Sequence, residues 1–293
     1  MRVIVTAGSG QIGRAVCRGL IAAGHSVVNV DVRGSDVPTD WLPFRTIDLP
    51  DWRGDVSDAE ALVHLEWSGG VREAIREPAR RFSAALTPMA ALLEFASSRG
   101  MAIVFASSGA VYESPVAEPY VVTEDAPRAE GSAYGVMKRA GEDLVRYFAL
   151  ANNLSAASLR IFNAYGPYGR PTQILSRIAQ AMETGEPLRV NGDGEHVRDF
   201  VSVEDVASAI VRVLNDSTLR GEAFNIGSGV GISMNALIRF MEQVNGVPCP
   251  VEYGPAVVGE ARGLVAGIER ARERFGWAPS VDLESGIRRL FAG

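Results

Sequence analysis

The chain reads as an α/β protein built on a doubly wound parallel sheet, and three observations predict it. A β-branched strand, Arg2–Thr6, runs directly into Gly8-Ser9-Gly10-Gln11-Ile12-Gly13 and then into a helical period. Short apolar runs alternate with helical periods as far as Ile226. A strand ending near Ser107-Ser108 is followed by a long helix carrying Tyr134 and Lys138. Alternation on this scale is what a parallel sheet covered by helices requires.

Composition sets the outer bounds. The 293 residues allow one large α/β domain, or a domain with a smaller partner, and can bury a substantial core. Hydrophobic content of 47% and charged content of 22% are those of an ordinary globular protein. A net charge of −6 lacks the basic character of a nucleic-acid binder. Cys17 and Cys249 fit no metal spacing and read as buried thiols, and His25, His64 and His196 are too scattered to suggest a metal site. No apolar run reaches the length of a membrane span, and the glycine-rich turn follows the first residues too closely for a signal peptide. The expectation is a soluble cytoplasmic protein with no nucleic-acid or membrane partner.

In order, Arg2–Thr6 leads through the glycine turn to a helix whose apolar positions are Ile12, Ala15, Val16, Leu20 and Ile21, ended by Gly24. Ser26–Val30 is a second strand closing on Asp31. In this strand–turn–helix–strand setting the glycines Gly8, Gly10 and Gly13 permit a tight turn, and backbone N–H groups can face a pyrophosphate at the helix N-terminus. Gln11 and Ile12 belong to that turn. Asp31 stands where a carboxylate can take ribose hydroxyls and repel a 2′-phosphate, which favours NAD over NADP, with Arg33 nearby. Residues 34–61 read as loop, with one short extended run at Phe44–Ile47 before Asp48-Leu49. Strands are expected at Ala61–Leu65, Met101–Ala106 and Ala156–Phe162, and helices at Arg80–Ser98, bent or interrupted by Pro88, and Ser132–Asn152. Glu113–Gly131 reads as a polar loop. Beyond Gly166 the expected elements are short: helices at Gln173–Thr184, Ser202–Leu214, Met234–Asn245, Ile268–Phe275 and Leu283–Phe291, and strands at Leu188–Val190, Ala223–Ile226 and Val251–Tyr253. Residues 1–165, with 200–228 returning to them, are expected to form a cofactor domain, and 166–293 mainly a substrate lobe.

Tyr134 and Lys138 lie four apart and so share one helix face. A phenol titrates near pH 10, too high for a base at neutral pH, and a neighbouring ammonium lowers it. Ser108, past the strand, could hold a substrate oxygen against the phenol. The ordinary alternative is a half-buried aromatic beside a solvated lysine.

Further segments carry a resemblance: Thr6-Ala7-Gly8, Asp48-Leu49, Val63-His64-Leu65, Ser107-Ser108-Gly109-Ala110-Val111-Tyr112, Tyr134-Gly-Val-Met-Lys138, Arg160-Ile-Phe-Asn163-Ala-Tyr-Gly-Pro167, Gly192 to Val201 and Phe224-Asn-Ile-Gly227. In that order and over nearly the whole chain they resemble the extended short-chain dehydrogenase/reductases, specifically the NAD-dependent nucleotide-sugar epimerase/dehydratase family, with the pattern of its UDP-glucose 4-epimerases. The resemblance implies a Rossmann-type cofactor domain and Tyr134 as catalytic base. Lys138 would be its partner and a ribose contact, and Ser108 the partner of the substrate hydroxyl. It further implies Asp48 and Leu49 at the adenine, Leu65 along the cofactor path, and Asn163 and Arg198 at the substrate diphosphate. A homodimer is expected through the 80–98 and Tyr134 helices. The implied activity is epimerisation of a nucleotide sugar, at C4, through a transient 4-keto sugar. The alternatives are a net NAD-dependent oxidoreductase on the same Ser-Tyr-Lys site and a non-catalytic NAD-binding regulator.

The chain also departs from the family. Gly109 and Ala110 stand where dehydratases carry acids, so elimination of water lacks its acid. Val257 stands where an arginine usually grips the diphosphate, leaving Arg262 as the substitute to consider. Glu66-Trp67 replaces small alanines beside the cofactor, and residues 49–61 are short for the helix usual there.

Overall fold

The structure is a computed structural model that describes residues 1–43, 56, 58–67, 69–112, 120–128, 132–256 and 263–291. Its elements follow the chain as β1 (Arg2–Thr6), α1 (Gln11–Ala22), β2 (Ser26–Val30), β3 (Asp40–Leu42), β4 (Ala61–His64), α2 (Val71–Arg76), α3 (Pro78–Ser97) and β5 (Ala102–Ser108). After a 3₁₀ turn at Gly109–Val111 come β6 (Tyr120–Val122), α4 (Ala133–Asn152), β7 (Ala156–Ile161), β8 (Asn163–Tyr165), α5 (Ile174–Thr184), β9 (Leu188–Asn191), β10 (Val197–Ser202) and α6 (Val203–Leu214). The chain continues with β11 (Glu222–Ile226), β12 (Gly231–Ser233), α7 (Met234–Asn245), β13 (Val251–Gly254), β14 (Gly263–Ala266), α8 (Glu269–Phe275) and α9 (Leu283–Phe291).

Among the described residues one sheet has seven strands, in the order β11-β7-β5-β4-β1-β2-β3, and every pairing in it is parallel. Strands buried on both sides must be apolar on both faces, and the pleat divides them accordingly. Val3, Val5, Val63, Val104 and Ala106 face one core with Val16 and Leu20 of α1 and Val206 and Ile210 of α6. Ile4, Leu62, Ile103 and Phe105 face the other core with Met89, Leu92 and Leu93 of α3 and Val145 and Ala149 of α4. The strand order reverses between β1 and β4, which opens a crevice at the carboxyl ends Thr6, His64 and Ser108.

A second sheet, β12-β10-β14-β6 with β8 beside β10, and a β13-β9 pair make up the remaining strands described. α5, α7 and α9 contribute Ile178, Leu237, Met241 and Ile287 to their own apolar cluster. Asp199 of β10 is fully buried and ties this region together, accepting from Ser228 N, Ser228 Oγ, Gly229 N and Ala266 N at 2.6–3.0 Å.

Several expected elements shift. The Ser107-Ser108 pair belongs to β5, which runs two residues further than expected because Ser107 and Ser108 pair with Arg160 and Ile161 of β7. α3 begins at Pro78 and passes through Pro88 as one helix, with that ring buried in the helix's core-facing side. The strands β3 and β6 lie within stretches read as loop, and β8, β10, β12 and β14 begin in stretches to which no strand is assigned from the sequence. The 3-residue strands among them are set by a neighbouring strand rather than by their own pattern. Phe44–Ile47, Asp48 and Leu49 lie outside the described residues, as do Val257 and Arg262.

A buried ion pair joins β7 to α4. The Arg160 guanidinium donates to both oxygens of Glu142, at 2.9 and 2.8 Å, and to the Tyr112 hydroxyl and the Glu124 carbonyl at 2.8 and 2.9 Å. Ser107 Oγ donates to Glu142 at 2.5 Å, and Tyr112 donates to Asn225 at 2.6 Å. Arg160 and Glu142 are 4% and 5% exposed, so removal of either strands a charge without water. Breaking such a pair costs about 3–5 kcal/mol. Glu142→Ala is therefore expected to lower unfolding stability by about that amount in a urea titration, with Glu142→Gln losing less because its amide oxygen still accepts. A loss of a few tenths of a kcal/mol for Glu142→Ala would show that the pair is not anchoring the helix.

Candidate active site

Two glycines let α4 approach the sheet closely enough to build the site. A Cβ at Gly135 would stand 2.2 Å from the carbonyl oxygen of Ala110 in the 3₁₀ turn. A Cβ at Gly141 would stand 2.8 Å from the Phe105 ring. Ser132 caps the helix by accepting from Gly135 N, and Ser108 accepts from Ala110 N to start the 3₁₀ turn. Both sides of the contact are thus fixed locally, and Tyr134, one residue from the tight approach, enters the same cleft as Ser108.

That cleft encloses about 810 Å³ at the carboxyl ends of β1, β4 and β5. Of the residues singled out in the sequence, Gly10, Gln11, Ile12, Gly13, Arg33, Leu65, Ser108, Tyr134 and Lys138 line it. Gly8 shapes the turn below: its Cβ would overlap the Asn29 side chain at 2.3 Å, and one at Gly13 would come 2.2 Å from the Ala7 carbonyl oxygen. Helix α1 opens with Gly10 at its N-cap, no side-chain cap and no acidic residue in its first turn. Its bare N–H groups fit an anionic pyrophosphate. Asp31 is turned inward, accepting from Ser9 N at 3.1 Å and Arg33 N at 3.0 Å, and is 9% exposed. Each of its oxygens keeps a further lone pair for a ribose hydroxyl.

Asn163 and Arg198 stand apart from the cleft's lining, on the adjoining strands β8 and β10. Asn163 donates to the Asp199 carbonyl at 2.9 Å and Arg198 to the Val197 carbonyl at 2.9 Å. The Asp199 carboxylate, one position from Arg198, is taken up by the four donors that clamp the second sheet.

Lys138 departs from the expected arrangement. Its ammonium donates to the Ala106 carbonyl at 2.6 Å, stands 4.0 Å from the Trp67 ring centre and 4.8 Å from that of Phe105, and is 5.9 Å from the Tyr134 ring centre. Burial pushes Lys138 down to about 7, against the charge of Glu142 one turn further on. Burial pushes Tyr134 up to about 12, and the charge that opposes this comes from Arg170, not from Lys138. The ammonium is held by a carbonyl and two aromatic faces. His64 is buried, bonded through Nδ1 to Thr6 Oγ1 at 2.9 Å, and is pushed down to about 3 by burial and by Lys138. It is neutral at physiological pH and supports the strand end. Ser107, tied to Glu142, serves the same structural purpose.

Sequence reasoning passed over the loop Gly166–Gln173 and the signal in Lys138. Gln11 donates to the Gly166 carbonyl and Gln173 donates to Gln11, both at 2.8 Å, so this loop closes on the glycine turn and brings Arg170 to the cleft. Of the 29 lysine and arginine residues, Lys138 is the sole lysine. A chain that otherwise uses arginine throughout keeps an ammonium at one place, where a compact, titratable cation differs from a guanidinium.

Gly135→Ala is expected to push α4 off the 3₁₀ turn, because the 2.2 Å overlap is with backbone. A shift of about 1 Å costs about 10²-fold in catalysis, while overpacking costs about 1–3 kcal/mol of stability. Parallel assays of turnover and urea unfolding check this; unchanged turnover would show that the approach of α4 does not set the site.

The comparisons with known proteins agree over the full length. Residues 3–227 match the family model "NAD dependent epimerase/dehydratase family". A UDP-glucose 4-epimerase of Azospirillum brasilense is 31% identical over 98% of this chain and 90% of its own length. The crystal structure of a Thermotoga maritima UDP-glucose 4-epimerase with UDP-glucose superposes with a TM-score of 0.90 at 29% identity, covering 100% of this chain and 98% of that one. A Stenotrophomonas maltophila UDP-glucose 4-epimerase with bound NAD and a formylated UDP-arabinopyranose gives a TM-score of 0.90 at 28% identity, covering 100% and 97%. With the glycine turn, the reversed strand order and the Ser108–Tyr134–Lys138 cleft in place, this chain belongs to the NAD-dependent epimerase/dehydratase family.

Proposed function

We propose that this protein is an NAD-dependent epimerase of a nucleotide sugar, acting at C4 through a transient 4-keto sugar. The observation that carries this reading is that one cleft holds both the uncapped N-terminus of α1 and the Ser108–Tyr134–Lys138 set. The relatives named UDP-glucose 4-epimerases make UDP-glucose the first substrate to test.

In this reading Tyr134 acts as its phenolate, favoured by the charge of Arg170 and, when the cofactor is bound, by its positive nicotinamide ring; it takes the proton of the C4 hydroxyl and later returns it, and Ser108 Oγ hydrogen-bonds the same oxygen. NAD, when bound, supplies the acceptor for the C4 hydride and gives it back. Gly8, Gly10, Gln11, Ile12 and Gly13 hold the pyrophosphate, Asp31 the ribose with Arg33 at its rim, and Leu65 packs along the cofactor. Asn163 and Arg198 receive the substrate diphosphate, with Arg262 a further candidate. Asp48 and Leu49 are assigned to the adenine on the sequence pattern alone. Gly109 and Ala110 leave no acid beside Ser108 for the elimination of water, which argues against a dehydratase. Val257 in place of the family's arginine favours the second reading, a net oxidoreductase on a sugar with weaker demand for a diphosphate clamp. We further read 1–165 with 200–228 as the cofactor domain and 166–293 mainly as the substrate lobe, and the active form as a cytoplasmic homodimer.

The test is conversion of UDP-glucose to its C4 epimer without net change in cofactor oxidation state; steady release of reduced cofactor would establish the oxidoreductase instead. Tyr134→Phe is expected to keep NAD affinity and lose about 10²–10⁴-fold in turnover, the usual contribution of a general base. Retention of most activity would remove Tyr134 from the chemistry. NAD is expected to bind more tightly than NADP, because the 2′-phosphate would meet Asp31. Titration of both cofactors checks this, and a preference for NADP would assign the pocket to Arg33.

A further inference from the structure

Lys138 is 3% exposed, so its ammonium has lost the water that ordinarily solvates it. Of its three donors one is satisfied by the Ala106 carbonyl at 2.6 Å. The two nearest aromatic faces are Trp67, 4.0 Å to the ring centre, and Phe105, 4.8 Å. Phe105 belongs to the buried core of the sheet, held between α3 and α4. Trp67 is different. It follows β4 on the wall of the cleft, leans against Phe105 with ring centres 5.4 Å apart, and its indole N–H is buried with no hydrogen-bond partner among the described residues. No hydrogen bond therefore explains an indole here, whereas its face does, since tryptophan is the strongest ring for a cation.

We propose that Trp67 is a positioning residue for Lys138, its indole face standing in for water around the ammonium and keeping it charged at the foot of the cleft beside Tyr134. The inference rests on the reading of Lys138 as a member of the catalytic set. The other groups around the ammonium cannot take this part. Glu142, one turn along α4, favours the charged form through its own charge, but its hydrogen bonds go to Arg160 of β7 and Ser107 of β5. His64 at the end of β4 is neutral, and burial moves the Tyr134 phenol on α4 away from its charged form. Glu66 shares the cleft wall, and Arg170 reaches it from the loop Gly166–Gln173 as a second cation. Burial drives Lys138 down to about 7 against the charge of Glu142, so loss of the aromatic face removes one of the few contacts that favour the charged form.

The sole lysine makes the test direct. The whole chain, grown with lysine labelled by ¹³C at Cε and freed of nucleotide, carries one labelled side chain. In the wild type its signal is expected to be displaced by the ring current of Trp67 and to titrate near neutral pH. In Trp67→Leu, which keeps an apolar wall without a π face, the ring-current displacement disappears and the titration moves down by about one unit. In Trp67→Phe both are largely kept. The alkaline limb of turnover against pH in the NAD-loaded enzyme moves down with Trp67→Leu and not with Trp67→Phe. An unchanged or raised titration in Trp67→Leu would overturn the proposal, because the indole would then only exclude water. If Trp67→Leu does not fold, the wild-type ring-current displacement and the Trp67→Phe titration decide, and a wild-type signal at the position of free lysine overturns it. The NMR readout needs no substrate. A folded protein that shows the expected titrations but no epimerase activity would refute the proposed reaction and leave the clamp standing.

Discussion

The close packing of α4 on β5 is the constraint on which the site depends. Three contacts enforce it: the Gly135 backbone against the Ala110 carbonyl, Lys138 on the Ala106 carbonyl, and Glu142 on Ser107 and Arg160. They recur at roughly one-turn spacing, so one helix face is fastened along its length. The bidentate Arg160–Glu142 pair is the one whose disruption leaves an uncompensated charge in the core. The Gly135 contact, one residue from Tyr134, sets where its phenol stands relative to Ser108. A stability device and a positioning device are therefore the same helix face read at its two ends.

Burial gives this face its chemical problem as well as its precision. A phenol pushed up to about 12 and an ammonium pushed down to about 7 are each moved away from the charged forms that acid–base work calls on. The surrounding charges oppose that drift from separate places, Arg170 for the phenol and Glu142 for the ammonium. Neither belongs to the cofactor turn. The cleft thus combines a fixed anion-binding end at α1 with an acid–base end whose charged forms are favoured by groups on α4 and the loop Gly166–Gln173.

Much of this was legible in the sequence. β1, β2, β4, β5 and β7 announced themselves because doubly buried strands need apolar residues on both faces, and the glycine turn because its backbone leaves no room for side chains at Gly8 and Gly13. The Tyr134–Lys138 spacing put both residues on the inner side of α4. The strands β6, β8, β12 and β14 were not legible, being three or four residues long and held by partners far away in sequence. β10 was hidden because Asp199 looks like a surface residue until its four backbone and hydroxyl donors are in place. The orientation of Lys138 could not be read from spacing, since the carbonyl and the ring that hold it lie on β5 and after β4. Trp67 was visible as a departure from the family's small residues, and its partner was not.

In the proposed reaction a sugar carbon gives up its hydride and receives it back within one cleft that Tyr134 serves as base. The most direct measurement follows deuterium at C4 of UDP-glucose through complete turnover. The account predicts a C4-epimer that retains the label at C4, with none in the solvent and none accumulating in free cofactor. Loss of the label to solvent, or its accumulation in released reduced cofactor, would contradict it.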